Sequence, residues 1–338
     1  MSISQTELAK KLGVSRSAVS HVLNGREHMV GSETRERIVQ AIKENGYHRN
    51  ALVRAMKTSR SNIIGIIVPE TSISFFNDVI RGVEIEAQRN GIRCFLCQTH
   101  HEICTMEQHV RALREYRVDG IVVGPSSSNI DDSVFRELQE HQVPFVLFDN
   151  PLVNLETAFV GTDNILAGRL ATEHLLELGH RKIACIKGYM DSYPAQGRLA
   201  GYLEAMNAAG IPVNEGLLRE GGFDFEQGVS AIDQLREDQV EFSAVVAPSD
   251  HVAFGAIHAL SRHGLRVPED VSVVGCGNLD LAEMFMPALT TMDQEAMEVG
   301  RKSLQLLFDQ IIKKKVLTQT ITIEPKLISR ESTVPHSV

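Results

Sequence analysis

The chain has 338 residues, 43% of them hydrophobic and 23% charged, which is typical of soluble globular proteins and predicts two or three domains. No apolar run approaches the roughly 20 residues of a membrane span, and the first residues lack a secretory signal, so we expect a cytoplasmic protein. The net charge of −9 is uneven: residues 1–60 hold eleven Lys or Arg and five Asp or Glu, which leaves −15 for residues 61–338. A basic beginning on an acidic remainder favours a nucleic-acid contact at one end only.

The first 46 residues carry the patterns of three short helices. The first is expected to start at the capping-box pattern of residues 4–7 and to end before Gly13, where a left-handed residue can cap it. Ser15 can cap the second helix, and the third begins at Ser32 and ends at Gly46. The apolar stripes predict one small core formed by Leu8, Leu12, Val19, Val22, Leu23, Ile38, Ala41 and Ile42. Two short helices joined by a glycine turn are typical of a helix-turn-helix, which lays its second helix in the DNA major groove.

Residues 49–61 combine a short helix pattern with a polar, basic linker. Beyond them, strand and helix patterns alternate. Strands are expected at 62–68, 92–98, 118–124, 144–149, 182–187, 242–247 and 271–275, and helices near 75–90, 105–116, 131–141, 164–178, 196–209, 226–237, 250–263 and 294–314. Such alternation predicts parallel sheets with right-handed crossovers, here arranged as two similar α/β subdomains. A ligand would lie in the cleft between them, outside the carboxyl ends of the strands.

The residue types of one cluster suggest zinc: Cys94, Cys97, His100, His101 and Cys104. Residues 93–98 have the pattern of a strand, however, in which residues three apart point to opposite faces. No second Cys-x-x-Cys motif accompanies the first. The five cysteines, an odd number, also suit reduced thiols better than disulfides. Buried or surface thiols are therefore the expectation, and a structural metal is the alternative.

Short motifs occur along almost the whole chain, and their order is informative. They are Leu12-Gly13-Val14-Ser15, Val19-Ser20, Leu23-Asn24-Gly25, residues 33–38 (Glu-Thr-Arg-Glu-Arg-Ile), Asn45-Gly46-Tyr47, residues 62–69 (Asn-Ile-Ile-Gly-Ile-Ile-Val-Pro), Asp119-Gly120-Ile121, Asp163-Asn164, Leu178-Gly179-His180-Arg181, Arg198-Leu199-Ala200-Gly201 and Leu289-Thr290-Thr291. In this order they resemble the lactose/galactose repressor (LacI/GalR) family. The resemblance implies a homodimeric transcription regulator that binds a pseudo-palindromic, double-stranded operator and is switched by a small-molecule effector.

The resemblance also implies a domain organisation. A three-helix helix-turn-helix head would occupy residues 1–48, and a hinge helix and linker would occupy residues 49–61. The effector-binding and dimerisation domain, residues 62–338, would consist of two doubly wound α/β subdomains of the periplasmic-binding-protein type. Their expected limits are about 62–161 plus 291–320 for the first and 162–290 plus 321–331 for the second. The last residues show no heptad pattern, so nothing indicates a tetramer.

The resemblance places the recognition helix between Ser15 and about Leu23. Arg16 and Ser17 would meet base edges, where an Arg paired bidentately with guanine adds about 1–3 kcal/mol of discrimination. In the hinge helix, Met56 would wedge into the central base step, where the family mostly has Leu. The DNA contacts implied are Ser15, Arg16, Ser17, Ser20, His21, Asn24, Asn50, Ala51 and Met56.

Three departures from the family's pattern affect these DNA contacts. The family usually has Thr where this chain has Ala18, and Arg where it has His21. One phosphate contact is then weaker or pH-dependent, because histidine is only partly charged near neutrality. Arg49 replaces the usual Pro, and this replacement loosens the start of the hinge. Without DNA, a helix as short as the hinge is expected to be largely unfolded.

The resemblance places effector contacts at Phe75, Phe76, Asp149, Ser192, Arg198, Phe223, Ser249 and Asp250. Arg198 offers a guanidinium fork that can hold sugar hydroxyls or a carboxylate with two bonds. Asp149 suits hydroxyls, whereas for Phe76 a core position is nearly as well supported as a ligand contact. Gly277 stands where many family members have an Asp that binds ligand hydroxyls or amines. With Arg198 retained, the missing carboxylate favours an acidic ligand such as a sugar acid. Because Asp149 suits hydroxyls, we expect a monosaccharide, or a sugar acid such as a hexonate or hexuronate, in preference to a purine or an amino acid.

Two other classes of protein fit parts of the sequence. A sugar-binding protein without a DNA function would have a similar effector part, but the basic helical head and the missing signal peptide argue against it. An enzyme on a doubly wound scaffold would need catalytic motifs, and the chain has no P-loop, nucleophile elbow or dinucleotide-binding glycine motif. We therefore expect a repressor of carbohydrate-uptake or catabolism genes that is no enzyme and needs no cofactor. Whether its effector releases DNA or promotes binding stays open.

Overall fold

The structure, a computed structural model, describes residues 5–23, 26–44, 60–71, 73–100 and 102–336. The chain divides into two compact units, the head (Met1–Ser61) and the body (Asn62–Val338). Among the described residues, no helix is both long enough and apolar enough to cross a membrane.

The head contains three helices, α1 (Gln5–Leu12), α2 (Arg16–Leu23) and α3 (Ser32–Glu44), and a short 3-10 turn at Glu27–Met29. Each helix contributes a fully buried side chain to one core, namely Leu8, Val19 and Ile38. Gly13 has a φ of 65°, a left-handed conformation that favours glycine and that ends α1. The predicted three-helix head is confirmed.

The body alternates strands and helices. Its strands are β1 (Ile63–Val68), β2 (Arg93–Gln98), β3 (Gly120–Val123), β4 (Phe145–Phe148), β5 (Phe159–Thr162), β6 (Ile183–Ile186), β7 (Leu218–Arg219), β8 (Ala244–Val246), β9 (Ser272–Cys276), β10 (Thr290–Asp293), β11 (Thr320–Ile323) and β12 (Lys326–Ile328). Its helices are α4 (Ser74–Arg89), α5 (Ile103–Glu115), α6 (Ser133–Glu140), α7 (Asn164–Glu177), α8 (Tyr193–Ala208), α9 (Phe225–Glu237), α10 (Asp250–Arg262), α11 (Asp280–Met284) and α12 (Ala296–Lys313).

The strands form two six-stranded sheets, which define the first and second halves of the body. The first sheet has the order β11-β5-β4-β3-β1-β2, and the second has the order β12-β10-β9-β8-β6-β7. Neighbouring strands are parallel, except that β12 runs antiparallel to β10. Buried apolar side chains lie on both faces of each sheet, as expected when helices cover both faces. The predicted pair of doubly wound subdomains is confirmed.

The chain crosses between the two halves after β5, after β10 and after β11. We expected the last two borders at residues 290/291 and 320/321, and the strand pairing corrects both. All of β10 pairs with the second sheet, and all of β11 pairs with the first, so these crossings follow Asp293 and Ile323. Both strands are rich in threonine, and their polar side chains do not produce the apolar run that marks the other strands.

Helix α8, which carries Arg198, packs closely against α7 because two glycines let the backbones approach. A Cβ atom on Gly168 would lie 2.0 Å from the carbonyl oxygen of Arg198. A Cβ atom on Gly201 would likewise lie 2.0 Å from the carbonyl oxygen of Ile165. A larger residue at either position would push the helices apart, so these glycines fix where α8 presents its side chains.

Candidate functional site

Helix α2 and the residue that caps it, Ser15, carry five of the predicted DNA contacts. Ser15, Arg16 and Ser17 are exposed, and Ser20 and His21 are half-buried. Because the apolar side of α2 packs into the core of the head, the rotation of the helix is fixed and its amino-terminal residues face outward. The other predicted contacts lie outside the described residues: Asn24, Asn50, Ala51 and Met56.

Hydrogen bonds hold the start of α2 and the turn before it. Ser15 Oγ accepts from the N–H group of Ala18 at 3.1 Å, so the predicted cap is present. Arg37 Nη2 donates to the carbonyl oxygen of Leu12 at 2.8 Å, which ties α3 to the end of α1. The turn that presents Arg16 is therefore held on both sides.

The eight predicted effector contacts come from both halves of the body. The first half provides Phe75 and Phe76 in α4 and Asp149 directly after β4. The second half provides Ser192 before α8, Arg198 in α8, Phe223 before α9, Ser249 before α10 and Asp250 at its first residue. Both sets come from segments that follow the carboxyl ends of parallel strands, where ligands of open α/β sheets bind.

Arg198 lies half-buried at the centre of this region. Its Nη1 donates to Asn164 Oδ1 at 2.6 Å, and its guanidinium carbon lies 5.6 Å from the ring centroid of Phe223. Its Nε is buried and has no hydrogen-bond partner among the described residues. A cavity of about 20 Å³ lies beside it, lined by Gly188, Ala195, Gly275 and Cys276 among others. The unpaired N–H group can donate to a ligand oxygen.

Asp149 is the acidic counterpart on the first half. Burial raises the pKa of its carboxyl to about 6, and the charge of Arg198 opposes that rise. Its backbone has a φ of 65°, an uncommon conformation for a residue other than glycine. Asn150 Nδ2 donates to its Oδ2 at 3.0 Å. A carboxylate in this position can accept hydrogen bonds from ligand hydroxyls.

The two predicted serines differ in how their side chains are held. Ser249 Oγ donates to the carbonyl oxygen of Phe223 at 2.8 Å and accepts from the N–H group of Val252 at 3.2 Å. It therefore caps α10 and fixes the segment that carries the Phe223 ring. Ser192 is 7% exposed and precedes the first residue of α8, where its side chain makes no cap.

Phe76 and Asp250 have supporting positions. Phe76 is 6% exposed, and its ring packs against Phe148 in the core of the first half. Asp250 is 1% exposed, hydrogen-bonds to Thr291 Oγ1 and accepts from the N–H group of Leu279 at 2.8 Å. Burial raises the pKa of its carboxyl. Both side chains are engaged within the protein in this arrangement, and their contact with an effector stays a prediction.

Gly277 lies next to Asp250 and has a φ of 142°. A Cβ atom there would lie 3.3 Å from Asp250 Oδ2, and few other residues adopt this conformation without strain. The N–H group of Gly277 donates to the carbonyl oxygen of Met292 at 2.8 Å, and this hydrogen bond holds the backbone of the loop. The loop therefore contributes backbone, and no carboxylate, at this position.

Sequence reasoning did not identify two buried asparagines as site residues. Asn164 accepts from Arg198 and donates from Nδ2 to the carbonyl oxygen of Thr162 at 3.0 Å, which holds the guanidinium group in place. It belongs to one of the motifs that carry the family resemblance, and that was the available signal. Asn150 had no signal besides its position next to Asp149.

A second and larger cavity, of about 1020 Å³, contains none of the predicted effector contacts. It opens beside β5, β11 and α8, and its wall includes Leu155, Phe159, Tyr193, Gln196, Thr320 and Thr322. Volume alone would favour it as a ligand site. The smaller cavity differs from it in being lined by Arg198, whose Nε is buried and has no hydrogen-bond partner among the described residues.

The cysteine cluster has a structural explanation. Cys94 and Cys97 lie half-buried in β2, as the strand pattern predicted, and Cys104 is exposed in α5. Burial raises the pKa of the Cys94 thiol to about 11. Within the described residues, no group of His, Cys, Asp and Glu side chains could hold a metal ion.

Two family models match the chain, one for each unit. Residues 6–50 match the model of bacterial regulatory proteins of the lacI family. Residues 61–331 match the model of periplasmic binding proteins and the sugar-binding domain of the LacI family. The two models together cover the head and nearly all of the body.

Curated relatives and solved structures match over nearly the full length. The HTH-type transcriptional repressor PurR of Vibrio atlanticus is 33% identical to this chain, and the match covers 96% of this chain and 97% of the relative. PurR of Erwinia tasmaniensis is 35% identical, and the match covers 96% of this chain and 95% of the relative. The transcriptional regulator CelR in complex with cellobiose is 32% identical, with a TM-score of 0.74 over 98% of this chain and 99% of its own. The lac repressor dimer bound to operator is 24% identical, and the match covers 99% of this chain and 100% of that structure's chain. Its TM-score of 0.88 supports the fold. These matches are transcriptional regulators and not enzymes.

Proposed function

The chain belongs to the LacI family of bacterial transcription regulators, and we propose that it represses carbohydrate-uptake or catabolism genes in the cytoplasm. A monosaccharide or sugar acid between the two halves of the body switches its operator binding. The observation that carries the proposal is that Arg198 and Asp149 lie on opposite halves of the body and the charge of Arg198 acts on the Asp149 carboxyl. Arg198 offers a buried N–H group without a hydrogen-bond partner among the described residues, and Asp149 offers a half-buried carboxyl from the opposite half.

The groups around Arg198 support a polyhydroxylated ligand. Arg198 donates to a ligand carboxylate or hydroxyl, and Asp149 accepts from hydroxyls. Phe223, whose ring is half-buried beside the guanidinium group, and Phe75 provide apolar walls. Gly277 leaves out the second carboxylate that would repel an acidic ligand. A hexonate or hexuronate satisfies this combination of one cation, one carboxylate and two aromatic rings.

A purine is the rival effector, because the curated relatives are repressors named PurR. The matched body model includes sugar-binding domains, and one structural relative is a complex with cellobiose, which supports the sugar. A DNA-independent sugar-binding protein, the other alternative, is less well supported because the head matches a regulator model of its own.

The operator is expected to be a pseudo-palindrome read by a homodimer. Two recognition helices related by a dyad would place Arg16 and Ser17 of each copy over equivalent half-sites. The two Met56 side chains would meet at the centre and wedge into a base step that unstacks easily. Pyrimidine–purine steps have this property, and the family resemblance favours CG.

Two screens test the proposal with the purified full chain. Selection from a random double-stranded DNA library should return a pseudo-palindrome with a central pyrimidine–purine step. A thermal-shift panel of hexoses, hexonates, hexuronates, hypoxanthine, guanine and amino acids should return a sugar or sugar acid. An asymmetric DNA consensus would contradict the dimeric readout, and a purine hit with no sugar response would overturn the effector class.

A further inference from the structure

Asn150 connects the two halves of the body at the effector site. It follows Asp149 at the end of β4 and is only 2% exposed. Its Nδ2 donates to the carbonyl oxygen of Pro125 and to Asp149 Oδ2, both at 3.0 Å. Its Oδ1 accepts from the N–H group of Tyr193 at 2.9 Å. Both donors and the acceptor of this one amide are therefore engaged.

The three partners belong to different parts of the site. Pro125 follows β3, and Asp149 is the predicted ligand acceptor of the first half. Tyr193 is the first residue of α8, the helix of the second half that carries Arg198. Asn150 thus touches the acidic ligand group directly, and through α8 it is linked to the basic one.

The left-handed φ of 65° at Asp149 explains how a residue at a strand end reaches across. The chain turns sharply after β4, and the N–H group of Asn150 donates to the carbonyl oxygen of Phe148 at 2.8 Å. This turn directs the amide away from the sheet and toward α8. An uncommon backbone conformation at a ligand site is consistent with a functional constraint.

We infer that Asn150 is a positioning residue that orients Asp149 and joins it to the start of α8, so that the ligand groups of the two halves are held in register. This inference rests on the proposed effector site. An ordinary buried asparagine would stabilise the body without affecting Asp149. The positioning role requires that the state of Asp149 and the start of α8 both depend on the same amide.

Ser127 offers a matched control. Its Oγ donates to the carbonyl oxygen of Asp191 at 3.0 Å, a hydrogen bond that also joins the two halves beside α8. It makes no hydrogen bond with Asp149 that the structure describes. Ser127→Ala therefore removes one link between the halves and leaves the Asp149 carboxylate with its Asn150 donor.

The test uses two substitutions of Asn150 that separate its bonds. Asn150→Leu removes both donors and the acceptor at similar volume. Asn150→Asp keeps an acceptor for the Tyr193 N–H group but replaces the donors with a second carboxylate. The titration of the Asp149 carboxyl group is followed by ¹³C NMR of the full chain, labelled at its carboxyl carbons. The Asp149 signal is assigned as the one that is missing from the spectrum of Asp149→Asn. The Tyr193 amide is followed by hydrogen exchange.

Loss of the donor should destabilise the ionised carboxyl, whose other charged neighbour is Arg198 of α8. The titration midpoint of Asp149 should rise by about half a pH unit or more in both Asn150 variants and stay unchanged in Ser127→Ala. Exchange of the Tyr193 amide should accelerate roughly tenfold or more in Asn150→Leu and remain slow in Asn150→Asp.

Two results would overturn the inference. One is an Asp149 midpoint that does not move in either folded Asn150 variant. The other is accelerated exchange spread evenly over the body, which would mean a general loss of stability. If Asn150→Leu does not fold, the isosteric Asn150→Asp still decides the first point. Neither measurement uses DNA or effector, so failure of the proposed function in its own screens is distinguishable from failure here.

Discussion

Arg198 and Asp149 show how burial prepares single residues for binding. Each is a charged group partly removed from water; Arg198 Nε has no hydrogen-bond partner among the described residues, and burial raises the pKa of the Asp149 carboxyl. Such groups destabilise the folded state unless a partner compensates for the lost hydration. A ligand that supplies the missing partner therefore binds tightly and stabilises the arrangement in which both groups face it.

Replacement of Asp149 by Asn should change how stability depends on pH. The folded-state pKa of about 6 lies above the unfolded value, so ionisation of Asp149 destabilises the fold increasingly as pH rises from about 4 to 6. The free energy of unfolding of Asp149→Asn, measured relative to that of the native chain, should therefore increase by about 2 kcal/mol between about pH 4.5 and pH 7.5. Urea unfolding at both pH values measures this difference. A difference that is the same at both pH values would contradict the burial of this carboxyl.

At the scale of single elements, local capping and long-range packing both place the recognition helix. The start of α2 depends on Ser15, whose hydroxyl satisfies an N–H group that no carbonyl oxygen of the helix can reach. The neighbouring turn depends on Gly13 and on the hydrogen bond from Arg37 to Leu12. Loss of one of these features should loosen the helix without unfolding the body.

Replacement of Ser15 by Ala should destabilise the head by about 1 kcal/mol, the usual cost of a lost helix cap. Hydrogen exchange in the segment 16–23 should become faster, while exchange in the body stays unchanged. Ser15→Asp is the matched control, because it keeps the cap but places a negative charge near DNA phosphates. It should restore slow exchange and still weaken operator binding. Equal exchange in the native chain and Ser15→Ala would show that the cap contributes nothing.

Apolar patterns predicted the elements that bury mostly apolar side chains. Residues 63–68 form a continuous apolar run before Pro69, and β1 was correctly predicted there. The short β5 contains Gly161, and β10 buries threonines whose hydroxyls are satisfied by distant partners such as Asp250. A hydropathy pattern cannot identify a strand whose polar groups find partners only after folding.

The same limit applied at the site. The family resemblance indicated Arg198, which belongs to one of the quoted motifs, and Asp149, whose position matches a ligand contact of the family. The role of Asn150 depends on Tyr193, which is 43 positions away, and on Pro125, which is 25 positions away. Only the folded arrangement of the two halves brings these groups together.

For the whole molecule, the contrast between a basic head and an acidic body implies that the two units have different binding partners. The head carries the excess of Lys and Arg that attracts DNA, and the body carries the residues proposed to bind the effector. A fragment that begins at Ser61 should remain folded and dimeric, bind the effector and fail to shift operator DNA. Analytical ultracentrifugation and gel shifts measure these properties. A fragment that still binds operator would contradict the assignment of DNA contacts to the head.

Salt dependence provides a second whole-molecule test of the head. Nonspecific DNA binding by the full chain should weaken steeply as salt is raised, because phosphate contacts release bound counterions. Arg16→Ala should lower the preference for the selected operator and change the affinity for unrelated DNA much less, since Arg16 is placed at base edges. Fluorescence anisotropy with both DNAs at several salt concentrations separates the two effects. An equal loss on both DNAs would assign Arg16 to the phosphate backbone.

The most direct test of the central claim is the coupling between the operator and the effector. Anisotropy titrations of the selected operator, with and without the sugar or sugar acid from the thermal-shift panel, should differ by about five-fold or more for the native chain. For Arg198→Ala, the two titrations should coincide, while operator affinity without the sugar stays close to native, because the contact groups lie in separate units of the chain. Operator binding that ignores every panel compound in the native chain, or a response that survives in Arg198→Ala, would contradict the account.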